Sequence, residues 1–241
     1  MAQKRLEYNS HTFDIGYEII NPTAKNDIII LHGWGSNRAL MKQSFSPFLA
    51  DFRHIYIDLM GFGSSSSDAV LTTSDYAAIV DNFLSNISAK KDIILGHSFG
   101  GKVATLLNPK LLVLVASAGI LVPKPFSVRV KIAIFKLFKN LGLSKVRNLF
   151  VSSDAKGLSQ NMYETFKNVV DEDFRESFRA FKNRAVLCFG DSDTATPLWS
   201  GAVIEKLIEN SKLYSFSGDH YFFMHHAKEI CDIIESEYKE A

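Results

Sequence analysis

Short unbroken apolar runs recur along the chain, and amphipathic stretches separate them. "DIIILH" (27–32), "HIYIDLM" (54–60), "DIIL" (92–95), "LLVLVAS" (111–117) and "AVLCFG" (185–190) show little of the polar alternation of a half-exposed strand. Such runs predict strands covered on both faces, as in a parallel sheet. "RLEY" and "FDIGYEII" alternate weakly and predict a two-stranded entry, and "SKLYSFS" (211–217) predicts a last strand. Between these lie helical patterns. One covers "NRALMKQSFSPFLADF" and is interrupted near Pro47. A second, in which Tyr76, Ile79, Val80, Phe83, Leu84 and Ile87 keep a helical period, has Ser74 as its expected cap. Further helices are expected over "GGKVATLL", from Pro197, and over the closing "HAKEICDIIESEYKEA". Strands alternating with helices imply an α/β fold with a mostly parallel sheet and helices on both faces.

Residues 120–182 break this rhythm: they contain no convincing strand, yet exceed the usual loop of about 4–6 residues. The expected organisation is a core of residues 1–119 and 183–241 with residues 120–182 inserted as a helical cap. In "KPFSVRVKIAIFKLFKNL", Phe126, Val130, Ile134 and Phe138 share one apolar face, while Val128, Ile132 and Phe135 form a second strip nearly opposite. One face is expected to cover the site, and the other needs a neighbour: a cap helix, a subunit or a lipid-like surface.

Net charge is +1, but seven basic residues and no acid fall between Gly119 and Ser153, which leaves 20 basic against 26 acidic residues elsewhere. Such asymmetry points to an anionic partner or surface. "MAQKRLEYNSHTF" lacks the apolar core of a secretory signal, and "LLVLVASAGILVP" falls short of the roughly 20 residues of a spanning helix, so a cytoplasmic location is expected. Cys188 and Cys231 lie in no CxxC or metal-like spacing and are expected to be reduced and buried.

Chemistry concentrates at "GHSFGG" (96–101), directly after "DIIL" and before a helical pattern. Gly-x-Ser-x-Gly in that context predicts a sharp strand-to-helix turn that exposes one hydroxyl, Ser98. A hydroxyl needs a base to take its proton and a carboxylate to orient that base. In serine, acid, histidine order, "GDSDTATP" offers Asp191 and Asp193, and "GDH" offers His220. "HGWGS" follows the first buried strand, so the amides of Trp34 and Phe99 are the expected oxyanion donors.

Together "HGWG", "DLMGFGSS", "GHSFGG", "GDSDTATP" and "GDH" make the chain resemble the α/β-hydrolase family over nearly its whole length. The resemblance implies a central, mostly parallel eight-stranded sheet with a cap between the sixth and seventh strands. It also favours Asp193 over Asp191 as the acid, and it implies no cofactor. The activity expected is hydrolysis of carboxylic esters with an apolar acyl part, Trp34, Phe99, Phe126, Phe135 and Phe138 lining the substrate. C–C bond hydrolysis of dienoate substrates is the alternative. It is demoted because His97 stands where that branch usually has asparagine and Tyr221 where it tends to have tryptophan. A ligand-sensing protein on the same fold is the other alternative.

The remaining histidines and acids read as structural. His97 is expected to pack under the turn, His32 to brace the "HGWG" loop, Asp58 to order "GFGSS", and His225 and His226 to serve surface or packing roles. No cluster has metal-ligand spacing, and no pattern marks a nucleotide or nucleic-acid site. The expected partner is a small-molecule ester, anionic or lipid-like, with membrane or subunit contact through the basic cap.

Overall fold

The structure is a computed structural model that describes residues 2–123 and 158–240. Eight strands form one sheet: β1 (Ala2–Tyr8), β2 (His11–Ile20), β3 (Asn26–Leu31), β4 (Phe52–Ile57), β5 (Ile93–His97), β6 (Leu111–Val115), β7 (Arg184–Gly190) and β8 (Ser211–Phe216). Their order is β1-β2-β4-β3-β5-β6-β7-β8. β1 and β2 pair antiparallel with each other, and β2 runs antiparallel to β4. All later neighbours are parallel.

The unbroken apolar runs are explained by a core on each face of the sheet. Along β3, Ile29 and Leu31 enter one core and Ile28 and Ile30 the other. Helices α1 (Arg38–Phe45) and α7 (Phe223–Lys239) supply Met41, Phe45, Phe223 and Ile230 to the second core. Helices α2 (Thr73–Asn86), α3 (Phe99–Leu107), α4 (Gln160–Val170), α5 (Arg175–Ala180) and α6 (Leu198–Leu207) contribute to the first.

Several boundaries differ from the sequence expectation. The first helix stops at Phe45, before Pro47, which has no N–H to extend a helical ladder, and Phe52 already belongs to β4. The cap of α2 is Thr72 rather than Ser74: its hydroxyl accepts from the Asp75 amide while the Asp75 carboxylate accepts from the Thr72 amide. The closing helix starts at Phe223, earlier than the periodicity from His226 implied. Within the span assigned to the cap, Phe174, Phe178 and Phe181 are buried in the sheet's own core, and the Phe174 amide donates to the Gly119 carbonyl at 2.8 Å. Phe126, Phe135 and Phe138 lie outside the described residues.

Candidate active site

β5 ends at His97, α3 begins at Phe99, and Ser98 alone makes the turn, at φ 51° and ψ −115°. A non-glycine residue at positive φ is strained and persists only where its surroundings over-determine it. Here they do. The Ser98 amide donates to the Val115 carbonyl at 3.0 Å, and the Ser98 carbonyl accepts from Gly101 at 3.0 Å and Ala118 at 3.1 Å. The turn also presses α3 against the end of β3. A Cβ on Gly100 would stand 2.6 Å from the His32 carbonyl oxygen and 2.8 Å from that of Leu31, so only glycine fits.

Asp193 follows β7 and His220 follows β8, so both reach the sheet edge at which β5 ends. His220 Nδ1 donates to Asp193 Oδ2 at 2.7 Å. That bond leaves Nε2 as the acceptor nitrogen of a neutral ring. The carboxylate is itself fixed. Its Oδ1 accepts from the amides of Ala195 at 2.7 Å and Thr196 at 3.0 Å, and its Oδ2 lies 2.7 Å from the Thr196 hydroxyl. Burial opposes ionisation of Asp193, but its hydrogen bonds to His220 and Thr196 outweigh burial and lower its pKa. Asp191 is exposed and accepts from the Ser192 hydroxyl and the Gly218 amide instead. Between the two acids, the geometry pairs Asp193 with the histidine. Thr196 was not singled out in the sequence, although a side-chain donor beside the acid in "DTATP" is a usable signal.

His97 is buried under the turn. Its Nε2 lies 3.0 Å from the His220 carbonyl, and its ring centroid is 4.8 Å from that of His220. Burial, reinforced by the neighbouring His220, pushes its pKa down to about 3, so at neutral pH the ring is uncharged and Nε2–H is the donor. His32 is likewise held neutral, its pKa lowered to about 4 by burial. Its Nδ1–H donates to the Gly33 carbonyl at 2.7 Å and its Nε2 accepts from the Leu59 amide at 2.9 Å, bracing the "HGWG" loop. Asp58 accepts from the Arg38 amide and guanidinium and from the Ser64 amide, which ties "GFGSS" to the start of α1. His226 caps the Ser217 carbonyl and approaches Glu229, a surface arrangement.

Above the turn stands an aromatic wall. The Trp34 ring packs against Phe62 at 4.8 Å, Phe99 at 5.7 Å and Phe166 of α4 at 5.3 Å between centroids. The Phe99 amide is the first of α3, a position at which a helix N–H has no intrahelical acceptor. A groove of ≈ 540 Å³ lies at the opposite edge of the sheet, lined by Lys110, Arg184 and Lys212. Those three cations are already paired with Asp92, Glu237 and Glu240, so the groove offers no comparable chemistry. Among the described residues no group of three or more His, Cys, Asp or Glu side chains could hold a metal. No described helix is long and apolar enough to cross a membrane.

An eight-stranded, mostly parallel sheet with a strained serine turn after one strand and an Asp–His pair after two later ones defines an α/β-hydrolase architecture. A profile described as "Alpha/beta hydrolase family" matches residues 28–232, and the chain belongs to that family. It is 35% identical over 100 residues to pimeloyl-[acyl-carrier protein] methyl ester esterase of Proteus mirabilis (strain HI4320), covering 39% of this chain and 37% of that protein. Uncharacterized hydrolase YugF of Bacillus subtilis (strain 168) is 26% identical over 234 residues, 84% of this chain and 85% of that one. The first curated relatives are thus matched over only 29–37% of their own length. Among solved structures, the esterase EaEST from Exiguobacterium antarcticum superposes with a TM-score of 0.73 at 20% identity, covering 94% of this chain and 96% of that one, a likeness of fold.

Proposed function

We propose that the protein is a carboxylic ester hydrolase working through an acyl-enzyme. Ser98 Oγ attacks the ester carbonyl carbon as its proton passes to His220 Nε2, and Asp193 keeps Nδ1 protonated and steadies the imidazolium. The amides of Trp34 and Phe99 donate to the oxyanion. Collapse releases the alcohol, which takes the proton from His220. Water, deprotonated by the same nitrogen, then attacks the acyl carbon and frees Ser98.

One observation carries this reading: the 2.7 Å His220–Asp193 bond leaves the other ring nitrogen free to accept, in a chain whose serine is held at a strained turn. The esterase names of similar proteins support the reaction class. An apolar acyl part is supported by the aromatic wall of Trp34, Phe62, Phe99 and Phe166. The seven-cation segment between Gly119 and Ser153 favours an ester whose acyl or carrier part is anionic.

The test is covalent labelling by a fluorophosphonate together with multiple turnovers of a short-chain p-nitrophenyl ester, both lost in Ser98→Ala. Labelling without turnover would instead favour a ligand sensor on the same fold. For the substrate class, kcat/KM for an anionic ester should fall with added salt while that for a neutral ester of equal length holds. The reason is that screening shortens the field of exposed charges to about 8 Å at physiological ionic strength. Parallel salt responses would make the basic segment incidental.

A further inference from the structure

Lys102 is a cation that this mechanism does not use. It lies in the first half of α3, four residues after Ser98, and its side chain is only 2% exposed. A lysine is almost never so buried without a task or a partner. Its Nζ donates to the Val169 carbonyl at 2.5 Å and to Glu172 Oε2 at 2.9 Å, and it lies 5.7 Å from the Phe99 ring centroid and 5.5 Å from that of Phe174. Burial lowers its pKa, while Glu172 opposes that shift.

The partners have a common address. Val169 is in the last turn of α4, where carbonyls have no intrahelical donor and the helix dipole favours a cation. Glu172 lies just beyond and also accepts from the Thr73 hydroxyl of α2. Three helices therefore meet at one ammonium group. α4 is also tied to the backbone of Leu71, through Thr165 and Asn168, whereas Lys102 ties the Val169 carbonyl of its last turn to α3. Phe166, one turn before that end, is the residue that packs on Trp34, and Trp34 in turn packs on Phe99.

We propose that Lys102 is a positioning residue of the active site, one that holds the end of α4 on the serine helix so that Phe166 clamps Trp34 beside the two oxyanion amides. The proposal rests on the esterase reading for its kinetic consequence but not for its structural one. An apolar side chain of similar length at 102 keeps the core filled but removes the donor that the Val169 carbonyl and Glu172 share, leaving Glu172 only the Thr73 hydroxyl. Phe166 then loosens from Trp34, and the Trp34 amide loses its fixed place.

Two readouts separate positioning from mere stabilisation. The chain has two tryptophans, Trp34 and the largely exposed Trp199, so Trp199→Phe leaves Trp34 as the sole indole reporter. In that background Lys102→Met should red-shift Trp34 emission and weaken its near-UV circular dichroism at temperatures well below the melting transition. For a short p-nitrophenyl ester, kcat should fall by about 10–10²-fold, the scale of a small misplacement at the reacting centre, with KM nearly unchanged. Glu172→Gln keeps an acceptor for Lys102 and should show both effects in weaker form; it also serves if Lys102→Met does not fold. Unchanged Trp34 emission and kcat in a variant whose melting temperature has dropped would overturn the proposal. The emission arm decides it even if the parent protein turns over no ester, an outcome that would count against the esterase reading alone.

Discussion

Asp193→Asn exchanges one atom, and the hydrogen bonds around it dictate the consequence. Oδ1 of Asp193 receives two backbone N–H groups, those of Ala195 and Thr196. An asparagine must put its carbonyl oxygen there, because an NH₂ in that place would face two donors. Its NH₂ is then directed at His220 Nδ1, which Asp193 Oδ2 meets at 2.7 Å in the parent. The ring can accept that donor only by moving its proton to Nε2, so the nitrogen that should take the Ser98 proton no longer has a lone pair. Loss of the correct tautomer in a Ser-His-Asp triad lowers turnover by about 10⁴-fold, equivalent to about 5.5 kcal/mol of barrier. The assay is kcat/KM for p-nitrophenyl acetate near neutral pH, with far-UV circular dichroism as the check on folding. Asp191→Asn is the control. That carboxylate is exposed, and the oxygen that accepts from the Ser192 hydroxyl and the Gly218 amide can remain a carbonyl oxygen in asparagine, so the change should cost less than about fivefold. An Asp193→Asn enzyme within about tenfold of the parent, well short of the tautomer penalty, would refute the assigned roles, as would the reversed order of the two variants.

Three further outcomes are expected. Ser98→Gly should abolish turnover yet raise the melting temperature, because glycine relieves a positive-φ conformation costing about 1–3 kcal/mol; a lower melting temperature would contradict the strain. Gly100→Ala should destabilise strongly, since its Cβ would meet backbone oxygens 2.6 and 2.8 Å away that cannot rotate aside, and urea unfolding reads the shift in midpoint. Stability should fall as pH drops from 7 to 5: His97 and His32 stay neutral in the fold down to about 3 and about 4, whereas in the unfolded chain they take up protons near the ordinary value of 6.5. Below that value the unfolded state binds more protons, so each histidine removes about 2 kcal/mol over this range, and His97→Gln should flatten the pH dependence of the urea midpoint.

The fold was largely legible because the parallel strands are buried on both faces and therefore read as unbroken apolar runs. The strand-end motifs were legible for a related reason: a serine forced to positive φ needs glycines around it, and Gly96 and Gly100 mark the spot in the sequence. The details set by tertiary contact were not. Lys102 sits in "GGKVATLL" as an ordinary helix-surface lysine would, and nothing local reveals that α4 brings a carbonyl and a carboxylate to it from about 70 residues away. Thr72 and Ser74 are equally good caps by residue type, and the reciprocal bond with Asp75 decides between them. The choice of Asp193 over Asp191 depends on loop register, which the backbone bonds of Ala195 and Thr196 set.

The sheet order carries a consequence for how the protein comes into being. β5 and β8, which precede Ser98 and His220, lie about half the chain apart in sequence, and in the sheet they are connected through β6 and β7. Closing such long loops before any reward is gained makes parallel pairing slow. No fragment released by a ribosome before β8 emerges contains His220, and none can form the strand that carries it. On the proposed mechanism, a nascent chain therefore carries Ser98 well before it carries the base assigned to that serine, and the pairing of β8 is the step that brings the two together.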